Sequence, residues 1–152
     1  MGHLDIVARE IIPANPTFGE DPNPDMPSPI TDLYEEARAV APISPRSAAG
    51  LLRVALENLL KDPPFNFTGK LYEMVGELEA RPELQDFWEV VDIVRVIGNE
   101  AAHELRFRPG DGLDIVEQLQ AILNELVEVE FTRPRKTKER LARVPANKKL
   151  PS

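Results

Sequence analysis

The chain has 152 residues and a net charge of −8, with 42% hydrophobic residues and no cysteine. That composition suits one domain with extended ends. It excludes disulfides, a Cys-ligated zinc and an iron–sulfur cluster, and it fits a reducing cytoplasm.

Residues 1–28 read as a proline-rich N-terminal arm. Pro13, Pro16, Pro22, Pro24 and Pro27, with Pro29 just beyond, fix φ and remove donors, so no long helix forms there. Asn15-Pro16-Thr17 and Asp21-Pro22-Asn23-Pro24-Asp25 read as turns. Residues 4–12 suit either a helix or a short strand. Residues 1–10 lack the basic region and apolar core of a secretory signal, and no apolar run of about 18 residues is present to span a membrane.

A helical bundle is expected over residues 29–131. The first helix, about 29–40, takes Leu33, Ala37 and Val40 as its buried stripe and stops at Pro42. The second starts at Ser44, a good N-cap, with Pro45 in the first helical position. Its apolar face is wide: Ala48, Leu51, Leu52, Ala55, Leu56, Leu59 and Leu60, which makes it central. Asp62-Pro63-Pro64 ends it. A third helix, 68–79, buries Leu71, Met74, Val75 and Leu78. A fourth opens near Pro82 and runs to about His103. A fifth, 112–129, carries Ile115, Val116, Leu119, Ile122, Leu123 and Leu126. About five helices with short connections make an all-α bundle.

Residues 132–152 form a basic C-terminal tail. Eight cations face one glutamate, so the tail carries +7 and residues 1–131 carry −15. Three readings stand: the tail folds back on the acidic body, it is solvated, or it binds nucleic acid through Arg133, Arg135, Lys136, Lys138 and Arg140. Leu141 and Val144, three apart, allow a short sixth helix.

The fourth helix is apolar nearly all round, and polar residues on such a helix are costly unless paired. Arg95, Asn99 and His103 recur every four residues and climb one face. Asp92 lies three before Arg95, and Glu57 on the second helix is the best acidic partner for it. Gly98 beside the stripe points to a close approach of another backbone. The stripe is either a buried structural network, with Asp92 and Glu57, or a catalytic or ligand site built on His103, Arg95 and Asn99.

The segments Asp25-Met26-Pro27, Tyr34-Glu35-Glu36-Ala37, Ser44-Pro45-Arg46-Ser47-Ala48-Ala49, Leu52-Arg53-Val54-Ala55-Leu56-Glu57 and Arg95-Val96-Ile97-Gly98-Asn99-Glu100-Ala101-Ala102-His103 resemble the domain of unknown function 4145 family over roughly residues 22–135. That family is similar to the HEPN superfamily of helical bundles from prokaryotic toxin, phage-defence and restriction contexts. Many HEPN proteins are metal-independent ribonucleases that act as dimers through an arginine, a polar residue and a histidine near the dimer interface. The resemblance therefore implies a HEPN-like bundle, a homodimer, a protein partner in a defence system, and RNA as a substrate class. In the ribonuclease chemistry, imidazole moves the proton of a 2′-hydroxyl while guanidinium holds the phosphate. Here seven residues separate Arg95 from His103, a wider gap than the superfamily's usual one, and Gly98 stands where the arginine commonly sits. The resemblance thus favours a non-catalytic, cytoplasmic interaction module, with a metal-independent ribonuclease and nucleic-acid binding by the tail as alternatives.

No cofactor is expected. Gly98 stands alone, Pro109-Gly110-Asp111-Gly112 reads as a turn, and two histidines without cysteine do not make a transition-metal site. The single internal histidine has no nucleophile motif near it. Tyr34, Tyr72 and Trp88 fall at core or half-core positions, not as a platform for stacking bases.

Overall fold

A computed structural model describes residues 17–87 and 112–148, and these are helical, with no strand among them. The α-helices are α1 (Ser28–Val40), α2 (Pro45–Lys61), α3 (Leu71–Leu78), α4 (Gly112–Val127) and α5 (Arg133–Arg143). No described helix is long and apolar enough to cross a membrane.

Helix α1 starts where Pro27 and Pro29 rigidify the entry, and Met26 is buried beneath it. Its buried stripe is Ile30, Tyr34, Ala37 and then Ala41. That corrects the expected Leu33–Ala37–Val40 stripe, whose outer members are half-buried. Tyr34 takes the central place because its hydroxyl has a donor's target there, the Glu20 carbonyl at 2.9 Å. Helix α2 opens as its sequence requires: the Ser44 hydroxyl accepts the Ser47 N–H at 3.2 Å. It buries Ala48, Ala49, Leu52, Ala55, Leu56, Leu59 and Leu60, and packs against both α1 and α4.

Helix α3 is shorter than the expected 68–79. Gly69, at φ +100°, turns the chain just ahead of it, so the helix begins after Lys70, whose N–H donates to the Glu73 carboxylate at 3.0 Å. Leu71, Met74, Val75 and Leu78 are buried as expected, but Tyr72 points outward and is exposed, not at a core position. The first residues of the expected fourth helix, Pro82–Phe87, form a 3₁₀ helix, and the rest of it lies outside the described residues.

Helix α4 buries Val116, Leu119, Ile122, Leu123 and Leu126, while Ile115 is half-buried. It does not stop at Val127. Glu128–Thr132 form a π turn and α5 follows directly. Pro134 has no N–H to return to the Glu130 carbonyl. The run widens just before it, with the Arg133 N–H reaching back five residues to the Glu128 carbonyl. The π turn is braced from the side by Arg81, 3.2 Å from Glu130, whose guanidinium also lies over the Phe65 and Phe67 rings at 5.1 and 5.4 Å. Burial, and then the neighbouring Glu83 carboxyl, push the Glu130 carboxyl above its usual range.

Candidate functional site

Of the expected site residues, Arg95, Asn99, His103 and Asp92 lie outside the described residues. Glu57 is described: it pairs along its own helix with Arg53 at 3.2 Å, both side chains being about a quarter exposed. The expected nucleic-acid residues Arg133, Arg135, Lys136, Lys138 and Arg140 are all on α5, and none is buried.

The structure separates these cations by what holds them. Arg135 grips Asp25 with two parallel bonds, Nε to Oδ1 at 3.0 Å and Nη2 to Oδ2 at 3.1 Å, and its Nη1 donates to Glu139 at 2.8 Å. Its charge is answered on both sides. Arg133 approaches Glu125 only to 3.7 Å. Lys136, Lys138, Arg140 and Arg143 form no ion pair among the described residues. The fold-back reading of the tail thus describes its root, through Arg133 and Arg135, and the solvated reading describes the rest of α5.

Asp25 is the pin of a wider arrangement that runs up α4. Gln120, Asn124, Glu128 and Thr132 recur every four residues, and Arg135 follows three later. All five hold the arm. The fully buried Gln120 amide donates to the Phe18 carbonyl at 2.9 Å. Asn124 accepts the Asn23 N–H at 2.8 Å and donates to the Asp21 carbonyl at 3.0 Å and the Tyr34 hydroxyl at 3.2 Å. Glu128 accepts from the Asn23 amide at 3.3 Å. The Thr132 hydroxyl lies 2.6 Å from Asp25 and 3.3 Å from Asn23. From α1, Arg38 reaches Asp21 at 3.0 Å and the Gly19 carbonyl at 3.3 Å.

These bonds give a proline-rich segment, which has no strand ladder to join, partners for its backbone groups. They also set the protonation of Asp25: the Arg135 guanidinium and then the Thr132 hydroxyl hold its carboxyl below the usual aspartate range. Burial raises the Tyr34 phenol, which stays neutral and donates. Gly19, at φ +80°, passes so close to the Gln120 amide that a Cβ there would collide with it.

Sequence reasoning missed this clamp, although its signal was present. Polar residues every four positions beside the apolar positions 119, 122, 123 and 126 are the same pattern that marked Arg95–Asn99–His103. Beside the clamp, the arm and α4 frame an open groove of about 520 Å³ with Glu20, Asp21, Glu125 and Glu128 on its walls. Among the described residues, no cluster of histidine, aspartate or glutamate is arranged to hold a metal ion.

The chain belongs to the DUF4145 family, a domain of unknown function whose family profile matches residues 35–144. The match ends at Val144, the residue that closes α5, so α5 lies within the family's extent. No curated protein and no solved structure matches the chain.

Proposed function

Proceeding from membership of this family, we propose that the protein is a non-catalytic, HEPN-like interaction module that offers α5 to a partner. One observation carries the reading: α5 is an eleven-residue helix without a single buried side chain. A helix that short is marginal alone in water. This one is supported because it continues α4 and is bolted at its root by Arg135 to Asp25. Its side chains cover no core among the described residues, and its exposed faces are offered to another molecule.

The family resemblance adds a homodimer with the Gly98–Ala102 stretch at its interface, a place beside defence or restriction partners, and a cytoplasmic setting. Light scattering on the purified chain is expected to give the mass of a dimer, and a monomer at high concentration removes that part. Incubation with total RNA in the absence of divalent metal tests the non-catalytic part. Intact RNA is the expected result. Cleavage that disappears in His103→Ala overturns it and makes Arg95, Asn99 and His103 the working site of a ribonuclease.

A further inference from the structure

Helical geometry sorts the α5 cations into one useful set. At 3.6 residues per turn, Arg133, Lys136, Arg140 and Arg143 fall within about 80° of one another. They form a stripe about 15 Å long at 1.5 Å per residue. Arg135 and Lys138 lie off it, on other faces. Glu139 flanks the stripe, but its carboxylate is occupied by Arg135 at 2.8 Å. All four stripe residues are exposed, and three of them have no ionic partner among the described residues.

We propose that this stripe binds the phosphate backbone of a nucleic acid without reading its bases. The proposal rests on the reading of α5 as the contact element and names the chemistry of its partner. Three observations favour phosphate over an acidic protein surface. The stripe holds cations alone, whereas protein interfaces have an apolar, aromatic-rich centre. The one large apolar side chain on α5, Leu141, is exposed on a different face. Each strand of a duplex advances about 3.4 Å per phosphate, so 15 Å of helix meets about four phosphates. The charge of −15 on residues 1–131 repels a polyanion from the body, and Glu125 and Glu128 stand just before the stripe's root. Attraction is thereby concentrated on the tail, where α5 is held at its root by the Asp25–Arg135 pair.

The test uses the full chain with a fluorescently labelled 20-base-pair DNA duplex and a 20-nucleotide single-stranded RNA. Four phosphate contacts predict that duplex affinity falls about 150-fold between 50 and 200 mM salt, and single-strand affinity about 50-fold. The combined variant R133Q/K136Q/R140Q/R143Q is expected to lose at least tenfold in affinity at 50 mM salt, and Lys138→Gln less than twofold. None of these side chains is buried, so the variants are expected to keep their helices, which circular dichroism checks. Unchanged binding by the combined variant overturns the proposal. So does a loss in Lys138→Gln equal to that in Lys136→Gln, which means diffuse charge and not a stripe. A poly-glutamate peptide separates the two readings. If it binds through the stripe and neither nucleic acid does, the phosphate proposal falls and the interaction module stands. If none of the three probes binds through α5, both fall.

Discussion

Asn124 is the residue on which the arm clamp is most exposed to test. Its side chain makes three hydrogen bonds: it accepts the Asn23 N–H, and donates to the Asp21 carbonyl and the Tyr34 hydroxyl, at 2.8 to 3.2 Å. Replacing it with alanine removes all three and leaves the Asn23 N–H without its acceptor. Each such bond is worth about 0.5–1.5 kcal/mol net. The Asp21 carbonyl lies at the open groove, where water takes over part of the loss, and Tyr34 keeps its bond to Glu20. The sum for Asn124→Ala is therefore about 1–3 kcal/mol. With a urea slope of about 1–3 kcal/mol per molar, the unfolding midpoint should fall by roughly 1 M. Asn124→Asp keeps the acceptor, loses both donors and adds a charge beside Glu20, Asp21 and Glu128. It should be at least as damaging at pH 7 and recover in acid. Amide exchange at Asn23 should accelerate more in the alanine variant than exchange at Leu56, in the core of α2, whose protection falls only by the loss in global stability. A midpoint within 0.2 M of the parent, with Asn23 still protected, would show that the arm is not held by these bonds.

Gly19→Ala places a Cβ at φ +80° against the buried Gln120 amide, and should cost about 1–3 kcal/mol in urea unfolding; a neutral result contradicts the packing of the arm. Leu56→Ala, in the centre of α2, should cost about 2–5 kcal/mol, whereas Ile43→Ala, 81% exposed, should stay within about 0.5 kcal/mol; equal effects would reject the assigned core. Asp25 has a depressed carboxyl, so its ionic contribution is complete above the unfolded value near 3.8 and is lost as the pH falls through the lower folded value. The stability difference between the parent and Asp25→Asn should then be constant from pH 7 to about 5 and shrink below about 4; a difference that persists unchanged at pH 3 means that Arg135 does not hold the charge.

The apolar positions of α2 and α3 could be read directly because every fully buried leucine there follows the helical period and no polar side chain competes for the face. Helix α1 misled at Leu33 and Val40, which are only half-buried. Ranking by hydrophobicity gives the buried place to Leu33, but a tyrosine whose hydroxyl finds a carbonyl can be buried whole, and the carbonyl comes from Glu20, fourteen residues earlier. Periodicity cannot see such a partner. Gly69 shortened α3 for a similar reason: a positive φ is a property of the turn, not of the apolar pattern that follows it.

The tail shows the same limit in its charges. Composition counts eight cations after Thr132 and treats them alike. The fold distinguishes them, since Asp25 lies more than a hundred residues away in sequence yet takes two bonds from Arg135. That pairing has two consequences that pull in one direction. It removes Arg135, and Glu139 with it, from the charge that a partner meets. It also fixes the root of α5 against the arm, so the remaining cations keep their common face as the helix leaves the body. A tail with the same residues but no Asp25 would carry a larger free charge on a helix less firmly aimed. If the stripe binds a phosphate backbone, Asp25→Asn should therefore weaken salt-resistant binding even though it makes the protein less acidic, and a gain in affinity at 200 mM salt would mean that net charge, not the orientation of α5, governs the contact.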